Sequence, residues 1–377
     1  MRAASALSEH PLASHAVGEV AGTILDAMHG QPIDLLVVFF HGSFVGALED
    51  INNALHQLLN PRHSIGSSAS GVVRNNSEVE FRQALSVWAA SGIDAEPYRI
   101  EPRSATPTMG WQPHWRHSLL FTDPFSSPVE ELFDSAAAGA PNLLISGGLA
   151  SAATGPGGNR LILDGAIYSD GGVGMALSGV GITTIVSQGC RPIGEPSTVT
   201  GTAGAQEQPS NVITELASKR AIDFVQVTAE NLDDEDKELL HHGLHVGLVI
   251  DEHQHDHDTG DFLIRNVLGA DKGSGAIAIG TPVEVGTTIQ FHVRDAASAT
   301  DDLLQAVDGH LAQAALVFTC NGRGAHFFDE PDHDAEVVHG TTRSTATAGM
   351  FCAGEFGPVA KRNHIHGFTA SVVLFSD

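Results

Sequence analysis

Three cysteines stand where hydrophobic runs meet glycine: Cys190 in SQGCRPIG, Cys320 in FTCNGRG and Cys352 in FCAGEFGP. A charged side chain follows each one. Arg191 is the next residue after Cys190, Arg323 lies three beyond Cys320, and Glu355 lies three beyond Cys352. Glycines at strand ends expose backbone N–H groups and let a ligand come close. An arginine there can grip a carboxylate with two parallel hydrogen bonds, and a glutamate can take an amine. The pattern reads as pocket wall, contributed by Gly189, Cys190 and Arg191 and by Cys320, Asn321, Gly322, Arg323, Gly324, Cys352, Gly354 and Glu355. The plainer alternative makes each cysteine a small buried hydrophobe and each glycine a bend. A thiolate nucleophile at Cys320 or Cys352 would need a base, for which His364 and His366 are the candidates. No catalytic residue and no metal ligand is assigned.

Other chemistries find less support. The chain has no phosphate loop ending in Gly-Lys-Ser/Thr. Gly172-Val173-Gly174 falls inside an expected strand rather than at a helix start, which removes a dinucleotide reading. Gly66-Ser67-Ser68-Ala69-Ser70 lacks the closing glycine of a nucleophile elbow. DEHQHDHD (251–258) would align His253, His255 and His257 if extended, but a structural metal site wants four ligands in a closed shell. It reads as a solvated loop, as does HHGLH (241–245). The acids of PDHDAE (331–336) fit the first turn of a helix, where carboxylates oppose the positive end of the macrodipole.

The elements that must position these residues alternate between helix and strand. Val17, Val20, Ala21, Ile24 and Met28 recur at helical spacing up to Gly30, and Phe44, Leu48, Ile51, Leu55 and Leu58 mark a helix ended by Pro61. Between them, Ile33 to Phe40 is a continuous apolar run of strand length, as in a sheet covered on both faces. Three stretches can be overlaid. LLVVFFHGSF (35–44), IGSSASGVV (65–73) and ALSVWAAS (84–91) form the first. SLLFTDPFSS (118–127), LLISGGLAS (143–151) and GGVGMALSG (171–179) form the second, and ALVFTCNGRG (315–324), GMFCAGEFGPV (349–359) and TASVVLFS (369–376) the third. Each reads strand, turn, helix, small-residue strand, loop, strand. In the second, Ser127-Pro128-Val129-Glu130 reads as a capping box.

GTAGAQEQPS (201–210) reads as a linker or long loop. Beyond it, Ala221 to Val227 looks helical, and LHVGLVIDE, FLIRNVLG, AIAIG and TIQFHVRD read as successive strands. The expectation is a two-part mixed α/β architecture of repeated strand-helix-strand-strand units, with sheets covered by helices and domains at 1–200 and 201–377.

Composition bounds the function. The chain has 377 residues, 42% hydrophobic and 17% charged, a folded globular composition too long for one ordinary core. A net charge of −26 argues against nucleic acid or anionic membrane as partner. The N-terminus has no apolar segment of signal-peptide type, and no apolar run approaches the ~20 residues of a membrane helix. Three widely spaced cysteines make no disulfide framework. A cytoplasmic protein is expected.

SQGCRPIG, GDFLIRNVLG, the FHVRDA run, FTCNGRG, and FCAGEFGPV followed by HGFTASVVLF resemble the FIST family. The N-terminal ASALSEHP and IGSSASGVV resemble its first half. The resemblance covers nearly the whole chain. It implies a two-part α/β ligand-binding module for intracellular signalling, with small molecules such as amino acids as ligands. Some relatives bind haem and sense nitric oxide, and others carry an F-box. The FIST-like region runs from near residue 3 to the C-terminus and leaves no room for an F-box, so a separate signalling protein is the expected output. Ser67 and Ser68 stand where relatives often have cysteine. The expected function is a sensor with a pocket at the junction of its halves, Arg323 holding a ligand carboxylate and Glu355 an amine. A haem-based nitric oxide sensor, an enzyme with a cysteine nucleophile and a protein-interaction scaffold are the rivals; the cofactor is left open.

Overall fold

Apolar residues of strand Leu35–His41 alternate between two cores rather than between core and water. Leu35, Val37 and Phe39 join one cluster, and Leu36, Val38 and Phe40 another. In strand Ala314–Cys320, Leu316 and Phe318 join the first cluster while Ala315 and Val317 join a third. Side chains alternate with a period of two, so these strands belong to sheets buried on both faces.

The computed structural model describes residues 1–204, 209–240, 243–253 and 259–376. It is a mixed α/β protein. The chain forms two compact units, Met1–Ser187 with Leu303–Asp377, and Gln188–Asp302. The division is discontinuous in sequence and differs from a single break at residue 200.

Among the described residues, the strands of the first unit form three six-stranded sheets. Each has a central strand with a parallel partner on one side and an antiparallel partner on the other. Leu35–His41 lies between His63–Ala69 and Leu85–Ser91. His117–Thr122 lies between Leu144–Leu149 and Gly172–Ser178. Ala314–Cys320 lies between Ala346–Cys352 and Thr369–Ser376. The parallel pairing brings the backbones so close that a Cβ at Gly66, Gly147 or Gly349 would overlap the carbonyl oxygen of Val38, Leu120 or Val317.

After its parallel pair, the chain does not return directly to its own sheet. Gly71–Arg74 pairs with Ala346–Cys352 of the third sheet, Leu161–Leu163 with His63–Ala69 of the first, and Glu355–Val359 with Leu144–Leu149 of the second. Each sheet thus lends a strand to another in a closed cycle. The inner faces share one core, where Phe39, Phe121 and Phe318 meet with ring centroids 5.5, 5.6 and 6.1 Å apart. Edge-to-face and tilted aromatic contacts of this kind add to simple area burial.

Helices cover the outer faces. Ala13–Met28 and Leu48–Leu59 pack on the first sheet through Val17, Val20, Ile24, Ile51 and Leu55. Val129–Gly139 covers the second through Leu132 and Phe133. The two N-terminal helices end on His29 and Asn60 in the left-handed conformation, just before Gly30 and Pro61. Two expectations need correction. The segment opening at Phe44 starts as a 3-10 turn, Gly42–Ala47, before the α-helix begins at Leu48. No capping box forms at Ser127, because its hydroxyl donates to the Gly171 carbonyl at 2.8 Å and the helix starts at Val129 without a side-chain cap.

Among the described residues the second unit is built on a seven-stranded sheet. Leu244–Val249, Phe262–Asp271 and Ala276–Val283 pair antiparallel in succession, and Thr288–Arg294 lies between the first of these and Cys190–Thr202. Helix Ala221–Asn231 is anchored in the core of Ile193, Val246, Ile277 and Phe291 through Ala221 and Phe224. Part of the expected linker, residues 205–208, lies outside the described residues.

Candidate functional site

Strands Ala314–Cys320 and Ala346–Cys352 run parallel in a register that sets Cys320 opposite Cys352. Carboxyl ends of parallel strands are where open α/β sheets leave room for ligands. Here the ends of all three sheets meet. The Ser70 hydroxyl donates to Asn321 Oδ1 at 2.6 Å, the Ser151 hydroxyl donates to the Phe351 carbonyl at 2.5 Å, and the Leu149 amide donates to the Gly354 carbonyl at 2.8 Å. Ser70, Ser151 and Asn321 are half-buried and Ala353 is exposed, whereas Cys320, Cys352, Gly354 and Glu355 lie beneath. Gly148 is part of this packing: a Cβ there would sit 2.6 Å from the Cys352 sulfur.

Glu355 is fully buried and pairs across the sheet with Gly148 and His366. Its Oε2 accepts from the Thr369 hydroxyl at 2.8 Å and the Thr369 amide at 3.2 Å. Its Oε1 has no hydrogen-bond partner of ordinary geometry, and the weakly donating Cys320 thiol is its neighbour. Burial pushes the carboxyl up to about 8, against the smaller opposing pull of the Thr369 bonds. Glu355 is thus mainly a neutral acid at pH 7. Burial also raises both thiols, and the Glu355 carboxylate adds to the effect. That is the reverse of the electropositive setting that makes a thiolate nucleophile.

Arg323 occupies a different place from the one expected. It is 1% exposed, and its fork faces Asp334, Nε to Oδ2 at 2.8 Å and Nη2 to Oδ1 at 2.8 Å. The Thr319 hydroxyl donates to the same carboxylate at 2.5 Å, and His333 Nδ1 lies 3.0 Å from Oδ1. Burial alone would raise Asp334, but the Arg323 charge and these bonds hold it well below the usual carboxylate range. Arg323 therefore binds a carboxylate of its own chain instead of a ligand's. Asp334 does more than oppose a helix dipole. Gly324 gives room to Glu80, whose Oε1 accepts from the Ala325 amide at 2.8 Å.

Gly189, Cys190 and Arg191 belong to the second unit. Cys190 is buried opposite Arg294. Arg191 forms ion pairs with Asp236 and, at 3.0 Å, with Asp295. Of the two histidines considered as a base, His364 sits opposite Gly357 in register, and His366 sits opposite Glu355 but directs Nε2 at the Gly357 carbonyl, 3.0 Å away. His255 and His257, and His241 and His242, lie outside the described residues. His253 is exposed. Among the described residues no group of three or more His, Cys, Asp or Glu side chains is placed to hold a metal ion.

Ser151 and Thr369 were not singled out from sequence, and Ser70 was read only within the rejected elbow at 66–70. The signal was their position: Ser70 and Ser151 close the second strand of the first two overlaid stretches, where Ala353 closes the third.

The FIST N domain matches residues 34–219 and the FIST C domain residues 225–358. The boundary between them falls inside the second compact unit. An uncharacterized protein of Mycobacterium tuberculosis is 38% identical over 390 residues, spanning 100% of both chains. An uncharacterized protein of Mycobacterium bovis is 36% identical over 389 residues, spanning 100% of this chain and 99% of its own. FIST domains are associated with sensory signal transduction. On two domain matches that span most of its length, the chain belongs to the FIST family.

Proposed function

We propose that this protein senses a small amine, an amino acid or a related metabolite, and that the ligand's ammonium group is taken by Glu355. Asn321, Gly322, Gly324 and the backbone around Gly354 would complete the wall, with Cys320 and Cys352 as its apolar floor. The observation that carries this reading is the Glu355 carboxyl, wholly enclosed with Oε1 lacking an ordinary partner. A buried carboxyl oxygen left without an ordinary partner is costly, and an arriving ammonium would displace the carboxyl proton and satisfy the oxygen with a charge-assisted bond. Arg323 supports the wall by fixing the turn after Cys320.

Because Glu355 carries a proton when empty, binding an ammonium ion would expel that proton. Affinity would then rise with pH until Glu355 ionises near pH 8. The test is a thermal-shift screen of amino acids and simple amines, with haem included, followed by calorimetry in buffers of different ionisation enthalpy. A ligand at a hundredfold excess over Kd should add about 2.7 kcal/mol of stability. Glu355→Gln should abolish both the shift and the proton release. Binding that survives this substitution, or a haem Soret band with no amine response, would overturn the assignment.

A further inference from the structure

Helices Ala13–Met28 and Leu48–Leu59 lie side by side on the first sheet and leave a groove of about 470 Å³ between their outer faces. Its floor and walls are Leu12, Val17, Gly18, Ile51, Ala54 and Leu58. Leu12 is 56% exposed and Leu58 51%, and Leu25 lies seven residues beyond Gly18 on the same helix, 47% exposed. Apolar side chains this large are seldom left in water together without a use.

Gly18 lines the groove, and Gly22 follows four residues on along the first helix, stacked on the same face. Both are exposed, and a Cβ at either would meet nothing within 4 Å. Mid-helix glycine weakens a helix relative to alanine, and no packing within the chain requires it at these positions. Two stacked glycines do let another backbone approach closely.

The two helices that form the groove carry charges of one sign, although Arg160 stands beside Glu49 and Asp50 in an adjoining hollow. The two helices carry Glu19, Asp26, Glu49 and Asp50 and contain neither lysine nor arginine. Glu19 is bound to the Ser8 hydroxyl, whereas Asp50 lines the groove and Glu49 and Asp26 are exposed. We propose that this groove docks an amphipathic helix of a separate partner protein, small and apolar on its inner face and rich in Lys and Arg along its flanks. Helix-in-groove recognition uses such anchors, and the acidic rim selects basic flanks. A second copy of this chain is the poorer occupant, since its own acidic rim and net charge of −26 would oppose the approach.

The test uses the full chain and a panel of stapled helical peptides. All share an Ala/Leu face and differ in having Lys/Arg or Glu flanks. Fluorescence anisotropy should show that the basic-flanked peptides bind and weaken as salt is raised, while the acidic-flanked ones do not bind. Gly18→Leu with Gly22→Leu should reduce affinity by at least roughly tenfold while circular dichroism stays unchanged, because nothing in the fold abuts either position. Asp50→Lys should weaken binding and reduce its salt dependence. Failure of the whole panel, equal binding of acidic flanks, or indifference to the glycine variants would overturn the proposal. Self-association in sedimentation that the glycine variants abolish would also overturn it, by assigning the groove to a second copy.

Discussion

Replacing Arg323 by alanine would strand the Asp334 carboxylate in a buried site. Removing one partner of a buried ion pair typically costs about 3–5 kcal/mol, and urea unfolding of Arg323→Ala should show a loss of that order. Arg323→Lys should recover part of it, since the charge returns without the planar fork. A loss below about 1 kcal/mol for Arg323→Ala would contradict the structural role. Glu355 carries the opposite consequence of burial. Its pKa rises from the ordinary 4.5 to about 8, so the folded chain holds a proton that the unfolded chain has released. Its contribution to stability is full below pH 4.5 and is lost as pH rises towards 8. Between those values wild type should lose a few kcal/mol, to order of magnitude, relative to Glu355→Gln. Parallel stability–pH profiles for the two proteins would refute this. Both residues were visible in the sequence as rare charges beside glycine. Their partners were not, because Asp334 looks like any first-turn acid and Thr369 like any strand residue until the chain folds back on itself.

Glycine separates two kinds of element. At Gly349 the parallel partner's Val317 carbonyl occupies the space a Cβ would need. Gly349→Ala should therefore destabilise by more than about 2 kcal/mol, as overpacking against immobile backbone does. At Gly18, in an open helix face, alanine should instead stabilise by about 0.5–1 kcal/mol in the isolated protein. Thermal melts of the two variants should move in opposite directions, and movement in the same direction would count against this account of the packing. Element types were largely legible, because apolar residues at helical spacing mark Ala13–Met28 and short apolar runs mark the central strands. Element partners were less so. Gly71–Arg74, Leu161–Leu163 and Glu355–Val359 each leave their own sheet for another, and local composition carries no address.

Across the whole molecule, the first unit depends on its three sheets at once. Phe39, Phe121 and Phe318 are each fully buried against one another, although they lie up to 279 residues apart in sequence (318 − 39). Phe121→Ala should cost about 3–5 kcal/mol and lower the thermal midpoint of the first unit. The second unit should be sensitive to acid. His245 and His292 face each other across neighbouring strands, and burial lowers both to about 4 from 6.5. The unfolded chain binds protons first, so this contribution is present above pH 6.5 and is lost as pH falls towards 4. Denaturation at pH 5 should be easier than at pH 7, and His292→Gln should flatten the difference. Imidazole titrations near 6.5 in the folded protein would refute it.

Residue order alone determined the element types, the mixed α/β class and the family, because periodicity and short glycine-cysteine words are local properties of the chain. It also set the acidic net charge of −26. The tertiary structure decided what each charged side chain does. Arg323 and Arg191 turned to carboxylates within the chain, since a buried or half-buried guanidinium takes the nearest acid that folding supplies. Glu355 was brought beside two thiols, with one carboxyl oxygen met only by the weakly donating Cys320 thiol, because strands far apart in sequence closed around it. Hydrophobic patterning acts over a few residues, whereas pairing and desolvation depend on which distant strands meet.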